Sequence, residues 1–202
     1  MLMRYDSFRH LRLDQKKGVD YNIRTRRGKS GITVMAIHGG GIEPGTTEIA
    51  EAIADRRHGF YTFSGLKPSG NFRLHITSTC FDEPQGIGLA EKSQTVVVIH
   101  GCADPDPIVY IGGRHAALKE KIGVSLKDAG VRVAETARFP GLNPDNICNR
   151  GAGKMGVQLE ISIGMRRLMF GDLKRPRRGR TLPFFITFVN AVQRGIDGFL
   201  TS

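Results

Sequence analysis

GITVMAIHGGGIEPGTTEIAEAIADR, residues 31–56, holds the strand, loop and helix from which the rest of the chain can be read. Residues 31–40 form a nearly continuous apolar, β-rich run that closes on glycines. That is the pattern of a strand buried on both faces in the middle of a sheet. Residues 46–56 then read as a helix, with Thr46 or Thr47 available as a cap and Glu48 and Glu51 in the first turns. Carboxylates near a helix start suit the helix dipole. A strand, a glycine-rich loop and a helix in that order make the unit of an α/β domain.

Working outward, GVDYNIRTR at 18–26 reads as a strand before this unit, and FYTFSG at 60–65 and FRLHITSTC at 72–80 as strands after it. TVVVIHG at 95–101 is a second buried strand and PIVYIGG at 107–113 a third. Residues 115–129 read as a helix, with Leu118, Ile122 and Leu126 on one face and Gly130 as its stop. VRVAETA at 131–137 and VQLEIS at 157–162 return to strand alternation. The last helix lies near 183–194, where Phe185, Phe188, Val189 and Val192 make an apolar stripe for core packing. No internal repeat is visible. The expectation is a single catalytic α/β domain over residues 1–202, with a mixed central sheet flanked by helices.

Composition sets further bounds. Hydrophobic residues make up 40% and charged residues 24%, ordinary for a globular domain with one core. No apolar run approaches the roughly 18–20 residues of a membrane span. The opening MLMRYDSFRHLRLDQKK lacks a signal-peptide segment, so export by the usual route is not expected. Cys80, Cys102 and Cys148 include no CxxC pair and read as buried free thiols. The net charge of +11 draws polyanions, whether nucleic acid, anionic lipid or an acidic polymer.

The chemistry is carried by a repeated local pattern. VMAI ends in His38-Gly39-Gly40-Gly41, and VVVI ends in His100-Gly101. Ligand sites in open α/β sheets form at the carboxyl ends of strands, so two such histidines converge if their strands are neighbours. Glu43 follows in the loop HGGGIEPGT. Two imidazoles and one carboxylate, with a fourth position left for water, are a ligand set of catalytic zinc. Zinc lowers the pKa of its water and polarises a carbonyl. A second carboxylate is still needed to take and return the proton. Glu160, among apolar neighbours in VQLEIS, is the candidate, although a solvent-facing edge position would equally explain it. His75 reads as core, His10 and His58 as peripheral, and His115 either as lining the site or as a helix end.

Arginines suggest the substrate. Arg114 follows a strand end and is expected to assist catalysis. Asn149-Arg150 lies in the long Gly/Pro/Asn-rich loop 139–156, a length often functional. An arginine fork with a neighbouring amide grips a carboxylate. Arg166, Arg167, Lys174, Arg175, Arg177, Arg178 and Arg180 form a basic stretch that is either a solvated face or a steering surface for a polyanion.

Rival readings fail on particular residues. A serine esterase needs a G-x-S-x-G elbow, and the nearest stretch, Glu160 to Gly164, lacks the first glycine. Gly28-Lys29-Ser30 is no phosphate loop, because the glycine required five residues earlier is Ile23. A basic nucleic-acid-binding protein agrees with the charge. Against it stand 7% aromatic residues, no tryptophan, no recognisable module and two unexplained His-Gly strand ends, so nucleic acid is not the expected partner.

HGGGIEPGT, VVVIHG, NPDNICNRG and GVQLEIS, in that order over roughly residues 30–165, together resemble the poly-γ-glutamate hydrolase family of phages and bacilli. The resemblance implies a zinc carboxypeptidase-like fold and cleavage of γ-glutamyl amide bonds within poly-γ-glutamate. It implies one Zn2+ per chain on His38, Glu43 and His100, with Glu160 as general base. Asn149-Arg150 is similar to the Asn-Arg pair that binds a substrate carboxylate in zinc carboxypeptidases, except that here the pair follows His100. His38 and Glu43 are also further apart than the corresponding pair there. A monomer acting on a polyanionic substrate is expected, either present in a host cytoplasm and released by lysis or secreted by an unrecognised route. A zinc amidase acting on cell-wall peptides is the close alternative.

Overall fold

The strand read at 31–40 is the hub of the molecule: β2 (Ile32–Gly40) is buried at every position. Around it the computed structural model, which describes residues 5–174 and 179–201, places β1 (Tyr21–Arg26), β3 (Gly59–Gly65), β4 (Thr95–Cys102), β5 (Val109–Gly112), β6 (Val133–Ala134) and β7 (Val157–Ser162). They form one seven-stranded sheet in the order β1-β3-β2-β4-β7-β5-β6. β3, β2, β4 and β7 run parallel. β1 is antiparallel to β3, and β5 is antiparallel to β7 with β6 parallel to it. The sheet is therefore mixed, as expected.

The helices are α1 (Phe8–Asp14), α2 (Thr46–Ala54), α3 (Pro84–Glu91), α4 (Ala116–Asp128), α5 (Ile163–Phe170) and α6 (Pro183–Leu200). Alternation along β2 divides the core. Val34 and Ala36 pack with Ile49 and Ile53 of α2, Ile122 of α4, Met165 of α5 and Phe188 of α6. Met35 and Ile37 pack on the other face with Leu11 of α1, Leu89 of α3 and Ile147. Leu118, Ile122 and Leu126 are buried as read, and so are Phe185, Phe188, Val189 and Val192. Among the described residues no helix is long and apolar enough to cross a membrane.

Several local readings change. FRLHITSTC is not a strand: a 3-10 turn, Asn71–Leu74, is followed by extended chain. The Asn71 side chain accepts from the Lys67 N–H (3.0 Å) and donates to the Lys67 carbonyl (2.7 Å), closing a turn that strand pairing would have to break. VRVAETA contributes only Val133–Ala134 to the sheet. α2 is capped by Gly45 at φ 98°, not by a threonine; the Thr46 hydroxyl instead donates back to the Glu43 carbonyl (2.8 Å). Helices α1, α3 and α5 were not expected. α3 contains Gly86 and Gly88, which weaken its signal, but Pro84 at its start and the Glu83 carboxylate accepting from the Gly86 N–H fix it.

The cysteines are free. Cys102 and Cys148 are buried as expected, while Cys80 is exposed on the segment after the 3-10 turn. Burial pushes the Cys148 thiol up to about 12. Iodoacetamide at neutral pH should therefore label Cys80 rapidly and leave Cys148 unlabelled until the protein unfolds, as peptide mass mapping would report. Fast native labelling of Cys148 would contradict this packing.

Candidate metal centre

β2 is followed in sequence by β3 on one side of it and then by β4 on the other. The sheet thus has a switch point between β2 and β4, where a crevice opens beyond the carboxyl ends of the strands. His38 and His100 stand there. The β2–β3 register shifts between Ala36 and Gly39, which frees the end of β2 from regular alternation.

Both rings are buried, and their Nδ1 atoms face one another at 3.1 Å. The Glu43 carboxylate closes the group. Its Oε1 is 2.9 Å from His38 Nδ1, and its Oε2 is 3.5 Å from His100 Nδ1. The loop that delivers it is short and tied back, because the Glu43 N–H donates to the His38 carbonyl (2.8 Å). The Gly101 N–H donates to Glu43 Oε2 (2.8 Å) and so holds the carboxylate toward β4.

Tautomers follow from the outer partners. His38 Nε2 is 2.7 Å from the Ile76 carbonyl. A carbonyl only accepts, so Nε2 carries the proton and the neutral ring turns the Nδ1 lone pair inward. His100 Nε2 is 3.2 Å from the Ser78 hydroxyl, which accepts as well as donates; where it accepts, the Nδ1 lone pair of His100 is turned inward too. Two nitrogen donors and a carboxylate then point at one place. Ligands on a tetrahedral zinc at about 2.0–2.1 Å lie about 3.4 Å apart; the two Nδ1 atoms are 3.1 Å apart, and each has one oxygen of the Glu43 carboxylate at 2.9 or 3.5 Å, Oε1 for His38 and Oε2 for His100. The donor set fits a zinc ion.

His75 was missed. Read as core within a strand, it is half-exposed on the segment after the 3-10 turn, with Nε2 3.7 Å from Glu43 Oε1. One donor atom each from His38, Glu43 and His75 lies within 4.8 Å of the others. The rings of His38 and His75, however, are stacked at 3.8 Å and 26°. A lone pair lies in its ring plane, so two nearly parallel, offset rings do not aim at one point. His38 and His100, tilted at 48°, do. His75 therefore lines the mouth of the site. Burial lowers its pKa to about 3, with His38 adding to the effect, so it stays neutral there. Glu43 is held below the carboxylate range: burial pushes it up, but His38 and His100 outweigh that. Burial would lower His100, yet Glu160 and Glu43 leave it raised.

Glu160 of β7 is the cross-strand partner of His100, and directly paired residues share a face of the sheet. It is half-buried, and that burial raises its carboxyl above the usual range against the pull of His100. Across β5, Tyr110 is its partner on the other side.

Arg166 departs from the solvated basic face read for 166–180. It is 3% exposed at the start of α5. Its guanidinium donates to the carbonyls of Ile161 (3.1 Å), Pro44 (2.8 Å) and Cys102 (2.8 Å), tying the ends of β7 and β4 to the Glu43 loop. Gly101 makes room for it, since a Cβ there would stand 2.7 Å from Arg166 Cζ. Arg166→Met strands three carbonyls and should lower unfolding stability by about 2 kcal/mol or more, read by denaturant titration. A change below a few tenths would remove this clamp. Arg167, Lys174 and Arg180 are exposed, and Arg175, Arg177 and Arg178 lie outside the described residues.

The remaining expected residues are elsewhere. Because β5 runs antiparallel to β7, with Gly112 opposite Gln158, its carboxyl end lies at the edge opposite His38, Glu43 and His100. Arg114 is exposed beyond that end, remote from Glu160. Asn149 is buried and fully used: Nδ2 donates to the carbonyls of Gly141 (2.7 Å) and Asn143 (2.9 Å), and Oδ1 accepts from the Gly156 N–H (3.2 Å). Arg150 reaches Glu91 (3.9 Å), at the end of α3 near the start of β4. Neither side chain joins the centre, so the substrate-binding reading of this pair is replaced by a role in holding the loop. His58, read as peripheral, is buried and 2.6 Å from the Ser30 hydroxyl.

Comparison with known proteins bears on the fold and the family. A solved bacteriophage poly-gamma-glutamate hydrolase superposes with a TM-score of 0.96 at 35% identity, covering 99% of both chains. A structure described as YNDL-apo (Zinc-free) superposes with a TM-score of 0.93 at 31% identity, covering 98% of this chain and 99% of that one. The UPF0714 protein YndL of Bacillus subtilis (strain 168) is 35% identical over 180 residues, 88% of this chain and 71% of that protein. The model of the poly-gamma-glutamate hydrolase family matches residues 5–191. A fold and a family signature that agree over nearly the whole length place this chain in the poly-gamma-glutamate hydrolase family.

Proposed function

We propose that this chain cleaves γ-glutamyl amide bonds within poly-γ-glutamate, with one zinc ion held by His38, Glu43 and His100 and with Glu160 as general acid and base. The observation that carries the reading is the convergence of His38 Nδ1, His100 Nδ1 and the Glu43 carboxylate, with Glu160 paired to His100. Zinc bound there supplies Lewis-acid polarisation of a carbonyl and lowers the pKa of water.

The chain's own residues do the rest. The Ile76 carbonyl fixes the His38 tautomer, Ser78 orients His100, and the Gly101 N–H orients Glu43. Glu160 takes the proton from the attacking water on its carboxylate and returns it to the leaving amide nitrogen, a use suited to a carboxyl raised by burial. The net charge of +11 draws a polymer bearing a free carboxylate on every residue.

The test is the size distribution of poly-γ-glutamate after incubation with the purified chain. Rapid shortening is expected, with cell-wall peptides left intact. Cleavage of the wall peptides alone would transfer the same chemistry to that substrate.

A further inference from the structure

With Arg114 and Arg150 at the opposite edge and Arg166 consumed by carbonyls, the substrate carboxylate needs another partner near Glu160. Arg138 stands in the turn 136–139, which is closed by the Phe139 N–H donating to the Thr136 carbonyl and the Arg138 N–H donating to the Thr136 hydroxyl, both at 3.2 Å. It is exposed, and its guanidinium lies 4.8 Å from the centroid of the Phe139 ring. That ring in turn lies 5.8 Å from the ring of Tyr110. Tyr110 is the cross-strand partner of Glu160 and shares its face. Arg138, Phe139 and Tyr110 thus form a chain of ring contacts that ends at the strand position beside Glu160, on the side away from His100.

The charge of Arg138 also reaches Asp104, where it adds to the lowering produced chiefly by the Tyr110 hydroxyl. Asp104 is itself committed. Its Oδ2 accepts from the Tyr110 hydroxyl (2.6 Å) and its Oδ1 from the Asp106 N–H (3.0 Å). Arg132 is paired with Asp106 (3.2 Å). Among the described residues no carboxylate forms an ion pair with Arg138, and the aromatic backing holds its planar fork without occupying the donors.

We propose that Arg138 seats the α-carboxylate of the glutamyl unit on the leaving-amine side of the scissile bond. This rests on the function proposed above. Glu160 returns its proton to the amide nitrogen, and on that side the α-carboxylate is two bonds from the nitrogen. An arginine reached through Tyr110 on that side of Glu160 is placed to meet that carboxylate. A bidentate pair there orients the bond as well as binding it. The seat makes the free α-carboxylate a requirement of the substrate, which separates γ-linked polyglutamate from neutral amides.

The test compares a γ-glutamyl oligomer bearing free α-carboxylates with the same oligomer carrying α-carboxamides. Wild type, Arg138→Ala and Arg138→Lys are assayed as full chains of equal zinc content. Wild type should prefer the acid. Arg138→Ala should lose about 10- to 100-fold in kcat/KM on the acid, chiefly through KM, and change little on the amide, so that the preference collapses. Arg138→Lys should recover part of it. An unchanged preference in Arg138→Ala, or equal losses on both oligomers, overturns the seat while leaving the hydrolase in place. A wild type that cuts neither oligomer overturns the function and this inference with it.

Discussion

Glu160→Gln is expected to bind zinc like the wild type and to lose about 10²–10⁴-fold in kcat on poly-γ-glutamate. The amide fills the same space beside His100 but cannot accept a proton from water or return one to the leaving nitrogen. Glu160 also borders the donor group without joining it: the carboxylate within 3.5 Å of both histidines is Glu43. Metal content and turnover should therefore separate in this variant. Zinc by atomic absorption and polymer shortening by size exclusion measure the two. Activity within threefold of wild type would take Glu160 out of proton transfer. Loss of zinc would make it a ligand.

The second large effect belongs to the donors. His38→Ala and His100→Ala should each fail to retain stoichiometric zinc through gel filtration and should lose activity with it, because each would remove one of the three ligands proposed for a site that needs them all. His75→Ala should keep the metal, since its ring is stacked on His38 and cannot share its target. The contrast is the informative part. Three histidines crowd around Glu43, and distance alone does not choose among them. Full zinc in His100→Ala with none in His75→Ala would reverse the assignment derived from ring planes.

How far the sequence went depended on which property a residue's role rested on. β2 and β4 were legible because central parallel strands are buried on both faces and are written as unbroken apolar runs. Their terminal His-Gly pairs then pointed at one edge of the sheet. Glu43 was legible because a tied glycine loop returns to the strand it left. Glu160 was marked only as a carboxylate in an apolar strand, with a solvent-facing edge position equally open; its register opposite His100 is visible only in the fold.

Arg114 was misplaced because a strand is visible in sequence while its direction is not. β5 runs against β7, which turns its carboxyl end away from the centre. Asn149 gave no sign that its amide would be spent on three backbone groups of its own loop. Arg166 looked like one more surface cation, and only the close approach at Gly101 marks it as a buried clamp. His75 was hidden by a pattern that resembles strand alternation but folds as a 3-10 turn and a crossing segment, for which Asn71 and the φ of 71° at Gly70 are the available signals. Arg138 carries no motif at all, and its link toward Glu160 runs through the rings of Phe139 and Tyr110.

The most direct test of the account is reconstitution. The chain, stripped of metal by a chelator and freed of the chelator, is titrated with zinc while poly-γ-glutamate shortening is followed. The account predicts no shortening without metal and a linear rise that stops at one zinc per chain. Full activity in the stripped protein would contradict it.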